Sequence, residues 1–158
     1  MDFESLLFAV AGVPLHPLVV HFVVVLIPLS SLGLVLAVFS KRIRSRFLGL
    51  SVLGLAVSAP LAWVAGQSGE ALTEVRGEPD PHVELGELLV PISWLLFAAG
   101  LLYWIAVRRR VSRPFMLAAS SVAVLTAVGV TGLTVAVGHS GADATWSGVV
   151  ESVEPSED

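Results

Sequence analysis

The residues able to do chemistry in this chain are a few histidines, carboxylates and one amide at related positions. The four histidines are His16, His21, His82 and His139. The chain has no cysteine and two methionines, so a metal site would be built from nitrogen and oxygen ligands. Imidazole and carboxylate suit iron, copper(II), nickel or zinc, and two histidines on facing helices also suit the iron of haem.

The composition predicts that lipid surrounds the elements carrying these residues. Hydrophobic residues make up 55% of the 158 residues, charged residues 14%, and the mean hydropathy is +0.86. Apolar stretches of membrane-spanning length cover residues 17–39, 47–66, 85–107 and 114–137. We therefore expect one domain, an all-α integral membrane four-helix bundle with an acidic C-terminal tail at 142–158. Interfacial belt positions are predicted for Trp63, Trp94, Tyr103, Trp104 and Trp146.

The charges predict how the bundle is oriented. Eight of the nine basic residues lie at 41–46 and 108–113, between the first two and the last two spans. The acidic residues fall in the first four positions, at 70–87, and after residue 142. The positive-inside rule makes the basic loops cytoplasmic, so both termini are expected outside a prokaryotic plasma membrane. Residues 3–13 are apolar but too short to span, which favours a short interfacial helix.

The chain also contains a weak internal repeat. His16, four residues and His21 match His82, four residues and Glu87. The stretch 66–69 that ends the second span likewise matches 138–141, which ends the fourth. We therefore predict two repeated helical hairpins of the same orientation, related by an axis along the membrane normal.

This symmetry would gather the polar residues at the outer rim of the bundle. It pairs His16 with His82, His21 with Glu87, and Gln67 with His139. His21 is expected to point into the bundle one turn deeper than His16, where an unpaired ionisable group costs several kcal/mol. The four histidines are thus candidate ligands of one haem b or one iron, copper or zinc ion, with His21 and either His139 or His82 as the inner ligands and His16 as a further group. Additional or supporting groups would be Glu70, Glu87 and Gln67.

Structural explanations are open for the same residues. His16 and His82 could cap helix ends, and His139 could simply end a helix. Glu70 and Glu87 could be solvated carboxylates of an acidic loop. The arginine clusters indicate topology and could also contact anionic lipids. We expect no nucleic-acid binding.

The run Val-Pro-Leu-His-Pro-Leu-Val-Val-His-Phe at 13–22 resembles the opening of the prokaryotic membrane proteins called domain of unknown function 2231. The resemblance extends to Gly66–Glu70, to His82 and to Gly138–Gly141. Ser140 interrupts the usual Gly-His-Gly ending, and Val23 stands where the family usually has proline. Some members are joined to Rieske or cytochrome c domains, so the resemblance implies haem or metal redox chemistry by association.

The first functional hypothesis is accordingly a haem- or metal-binding protein that exchanges electrons with a membrane or periplasmic partner. A transporter or channel subunit, with a site where protons or metal ions enter, is the second. The third is a cofactor-free assembly partner. No nucleophile, base and orienting group form a recognisable set, so a non-enzymatic role is favoured. The oligomeric state stays open, a homo-oligomer included.

Overall fold

The computed structural model describes residues 9–10, 13–76 and 80–153, and most of these are helical. The elements are β1 (Ala9–Val10), β2 (Val13–Pro14), α1 (Leu15–Phe39), α2 (Lys41–Arg76), α3 (Asp80–Arg109) and α4 (Arg113–Val153). Each helix contains a stretch long and apolar enough to cross a membrane. The predicted all-α class with four candidate membrane spans is therefore confirmed.

The helices run past the apolar spans that predicted them. α2 has 36 residues and continues to Arg76, which corresponds to about 54 Å at 1.5 Å per residue. α4 continues to Val153, so the predicted tail at 142–158 is helical over most of its length. Hydropathy marks where a helix leaves lipid, whereas a helix ends only where a breaking residue or a cap ends it.

The N-terminal segment does not form the expected interfacial helix where it is described. Ala9–Val10 and Val13–Pro14 are extended and pair as an antiparallel ladder, with Val10 opposite Val13. Proline disfavours helical backbone in the residue before it, which keeps Val13 extended. The helix prediction is wrong for these residues, and 1–8 and 11–12 lie outside the described part.

A single residue, Ser40, joins α1 to α2. Its hydroxyl accepts a hydrogen bond from the Ile43 amide at 3.4 Å, an N-terminal cap for α2. Arg44 reaches back and donates from Nε to Ala37 O at 2.8 Å and from Nη2 to Val38 O at 2.7 Å. These bonds satisfy carbonyls at the end of α1, where a cation also interacts favourably with the helix dipole.

The connection from α3 to α4 is also short. Arg110 adopts a left-handed backbone conformation with φ of 51°, and the Val111 amide donates to Ala106 O at 3.3 Å. A left-handed residue followed by such a bond is a common way to end a helix.

Consecutive helices run in opposite directions, so the Ser40 connection and residues 110–112 lie at the same end of the bundle. We call it the basic end. The opposite end, with His16 and His82, is the histidine end.

Each helix packs against two neighbours, in the order α1, α2, α3, α4 and back to α1. The buried side chains include many alanines and serines beside larger ones such as Ile27, Leu34 and Tyr103. Many other large apolar side chains face outward, such as Leu29 (62% exposed) and Leu125 (71% exposed). Several buried hydroxyls bond to carbonyls of their own helix, as Ser58 does to Gly54 and Thr134 to Val130. Small interior residues under an apolar exterior are typical of bundles in lipid.

Tyr103 departs from the predicted aromatic belt. Its side chain is 1% exposed, and its hydroxyl donates to Ala37 O at 3.4 Å. The Arg44 guanidinium lies 5.8 Å from its ring centre. The belt prediction is wrong for this residue because the end of α1 supplies both an acceptor for the hydroxyl and a cation for the ring.

Candidate functional site

His16 is the second residue of α1, and its ring packs against α2. Its Nδ1 lies 2.8 Å from Ala65 O, and the side chain is partly buried. The ring also lies directly against Gly69, where an added Cβ would be 3.0 Å from Cε1. Glycine at 69 therefore allows the imidazole to approach the α2 backbone.

His82 makes the same kind of contact in the other hairpin. From the start of α3 its Nδ1 lies 3.2 Å from both Val137 O and Ser140 Oγ. A Cβ at Gly141 would lie 2.8 Å from Cε1 of His82. In each hairpin the carbonyl and the glycine that receive the ring are thus four residues apart on the facing helix.

The two rings meet where the hairpins meet. Their centroids are 6.1 Å apart and their planes are inclined by 82°, an edge-to-face arrangement. A carbonyl oxygen can only accept, so Nδ1 of each ring donates to it, and in the neutral form of the ring the lone pair then lies on Nε2. Metal-binding histidines use their second nitrogen in this way, because a bond to a carbonyl fixes the tautomer and the ring orientation.

The other candidate ligands lie elsewhere on the surface of the same end. His21 is exposed, and its Nδ1 is hydrogen-bonded to Pro17 O of its own helix. The expectation that His21 points into the bundle is therefore wrong. Five residues correspond to about 500° of helical turn, so His21 cannot share the inward face on which His16 lies.

His139, Glu70 and Glu87 are also exposed, and Gln67 donates to Glu70 at 3.1 Å. Of the three expected pairs, the structure brings together only His16 with His82. Within the described residues no hydrogen bond joins the members of the other two pairs, and no group of three or more histidine or acidic side chains is placed to hold a metal ion.

The sequence did not identify four residues of this site. They are Gly69 and Gly141, which make room for the rings, and Ala65 and Val137, which supply the carbonyls. The signal was present, since the aligned stretches both end in Ser-Gly, at 68–69 and 140–141. The repeated Ser-Gly pair by itself predicts a helix ending. The packing of an imidazole on a helix backbone leaves no pattern along the chain.

Comparison with known families supports the resemblance seen at 13–22. The sequence profile of the predicted membrane proteins called domain of unknown function 2231 matches residues 12–154. The chain belongs to this family. In this family member the matched region contains all four histidines and both Ser-Gly stretches. No curated protein and no solved structure matches the chain significantly.

Proposed function

We propose that this membrane protein holds one haem b or one transition-metal ion at the histidine end, with His16 and His82 as its protein ligands. The observation that carries the proposal is the pair of rings 6.1 Å apart, each held by a backbone carbonyl at Nδ1. With metal–nitrogen distances of about 2.0–2.1 Å, two imidazoles on one metal have centroids roughly 5 Å apart at a tetrahedral ion and roughly 6.4 Å apart on opposite sides of a haem iron.

The number of ligands favours haem. A haem iron takes one or two axial ligands from the protein, whereas a bare zinc or copper ion usually takes three or four. This chain offers two neighbouring imidazoles among its described residues. His21, His139, Glu70, Glu87 and Gln67 would be further groups at the same end, available to an ion that completes its coordination with water or with a partner.

Such a centre would exchange electrons with a membrane or periplasmic redox partner. The proposal includes the orientation predicted from the charges, with both termini and the histidine end outside a prokaryotic plasma membrane. It also includes the two-hairpin repeat, which the matching contacts of His16 with Ala65 and Gly69, and of His82 with Val137 and Gly141, support.

The bound centre is expected to depend on His16 and His82 and not on the exposed histidines. Protein made in haem- and metal-replete cells and purified in mild detergent without chelators should show a Soret band, or stoichiometric iron, copper or zinc. Occupancy should fall at least about tenfold in His16→Ala and in His82→Ala, because a ligand is lost. His21→Ala and His139→Ala are matched controls at the same end and should keep the centre.

A glycine pair provides a test that leaves every histidine in place. Gly141→Ala puts a Cβ 2.8 Å from His82 Cε1 and should weaken binding. Gly138→Ala is the control, because its Cβ meets Val24 at an ordinary 3.9 Å.

Wild-type protein free of haem and metal would refute the proposal. Equal loss in all four histidine variants would refute the assignment of His16 and His82.

The orientation has a separate test, since the chain has no cysteine of its own. Val111→Cys should be protected from a membrane-impermeant thiol reagent in intact cells, and Ala142→Cys should be labelled. The reverse pattern would place the basic end outside. Labelling of both only after lysis would place neither position outside.

A cofactor-free assembly role is the second candidate. It is favoured by the fact that each ring already links two helices through a carbonyl and a glycine. In that case the protein would purify without haem or metal, and His16→Ala would lower its thermal stability.

A further inference from the structure

The basic end contains a pocket that the proposed histidine site does not use. It has a volume of about 290 Å³ and lies between the first turns of α2 and the last turns of α3. Its walls include Lys41, Arg44, Ser45, Gly49, Trp104 and Arg108. Three cations, one hydroxyl and one indole thus surround a space open to the outside of the bundle.

The sequence places no carboxylate close to the cations of this pocket. The sequence contains no aspartate or glutamate at 5–69 or at 88–142. From Arg108 to Glu87 on the same helix is 21 residues, or about 31 Å at 1.5 Å per residue, well beyond a Debye length at physiological salt. Within the part of the chain that the structure describes, no carboxylate is therefore close enough to neutralise the pocket.

Aromatic rings and carbonyls hold two of the guanidinium groups in position. Arg108 lies 5.0 Å from the centre of the Trp104 ring, and Arg44 lies 5.8 Å from that of Tyr103. Arg44 uses Nε and Nη2 on the carbonyls of Ala37 and Val38, which leaves Nη1 for another acceptor. Arginine held in this way presents fixed donors, which is the arrangement that phosphate oxygens accept best.

We propose that this pocket binds a phosphate-bearing anion, and that its source is the headgroup of an anionic phospholipid. The pocket also has apolar walls, formed by Leu48 and Val107. Beside it, Phe39 is 77% exposed and Phe47 is 49% exposed, which provides a surface for acyl chains. A soluble phosphate ester would use the cations but would gain nothing from these apolar surfaces, whereas a phospholipid uses both.

Binding to the purified full-length protein in mild detergent tests the proposal. The probes are dioctanoyl phosphatidylglycerol, dioctanoyl phosphatidylcholine and glycerol 3-phosphate, titrated by calorimetry. The anionic lipid should bind at least about tenfold more tightly than the zwitterionic one, since each nearby Lys or Arg contributes measurably to binding an anionic lipid. The double variant K41Q/R108Q should lose about tenfold or more of that affinity.

The matched control is R42Q/R109Q, which removes the same charge from the same end at exposed positions outside the pocket. It should bind phosphatidylglycerol within about twofold of the wild type. Equal losses in the two double variants would show diffuse attraction and overturn the pocket. Glycerol 3-phosphate binding as tightly as the lipid, and equally sensitive to K41Q/R108Q, would support the phosphate site and assign it to a soluble ester. Absence of binding by all three probes would overturn the proposal.

Discussion

Gly54→Leu is expected to destabilise the bundle by about 3 kcal/mol or more, because the α2 backbone at Gly54 lies directly on Ser30 of α1. A Cβ at this position would overlap Ser30 Oγ and would lie 3.2 Å from Ser30 Cβ and 3.7 Å from Leu26 Cδ1. Ser30 is 6% exposed, so its side chain has no free space to move into. A leucine would therefore force the two helices apart.

The same contact occurs in reverse on the neighbouring turns, where Gly33 of α1 faces Ser51 of α2. Each glycine accepts a serine from the other helix, and this allows the helices joined by Ser40 to lie close together. In lipid, close packing is a principal source of helix association, since burial from water contributes little. Gly33→Leu should consequently be as harmful as Gly54→Leu.

Gly129→Leu on α4 is the matched control, because a Cβ at Gly129 meets nothing within 4 Å. Thermal unfolding in the same detergent, followed by circular dichroism and size-exclusion chromatography, measures all three variants. Gly129→Leu should unfold within a few degrees of the wild type, and Gly54→Leu far below it. Equal midpoints for Gly54→Leu and Gly129→Leu would contradict the close approach of α1 and α2.

Tyr103→Ala is expected to cost about 3 to 5 kcal/mol, the range for removing a large buried aromatic side chain. Tyr103 is among the largest fully buried side chains, and its loss would leave a cavity between the end of α1 and α3. It would also remove the ring that Arg44 lies over. Tyr103→Phe keeps the volume and gives up one long hydrogen bond of 3.4 Å, so it should cost less than about 1 kcal/mol.

Denaturation of Tyr103→Ala and Tyr103→Phe, compared with that of Trp63→Ala, separates cavity formation from loss of aromatic surface. Trp63 is 45% exposed, so its removal leaves no interior cavity and should have a small effect. If Tyr103→Phe were as unstable as Tyr103→Ala, the hydroxyl bond would be the main contribution and the cavity a minor one.

Most of the fold could be predicted from local properties of the sequence. Span number and approximate position follow from the length and hydropathy of each apolar stretch, and those are local properties. The ends of α2 and α4 could not be placed, because both helices continue past glycines such as Gly69 and Gly141, which commonly end a helix. The apolar composition of residues 3–13 predicts a helix, yet 9–10 and 13 are extended, because composition does not distinguish a short interfacial helix from an extended segment.

The site was predicted only in part, because contacts between helices are not visible in local sequence patterns. The predicted repeat pairs His16 with His82, and in the structure their ring centroids lie 6.1 Å apart. His21 was assigned to the interior, and it is exposed. α1 is apolar on every side, so no amphipathic pattern reveals which of its faces meets the other helices.

The amino-acid order alone was enough for the membrane class, the four spans and the separation of the basic residues from the histidines. The sequence does not determine the rotation of each helix about its axis. It also does not determine the packing of the imidazoles on Gly69 and Gly141 or the burial of Tyr103. Hydropathy and charge act on each segment separately through the solvent around it. Rotation and seating depend on which backbone atoms of a neighbouring helix come within a few ångströms, and that is settled only when the helices pack.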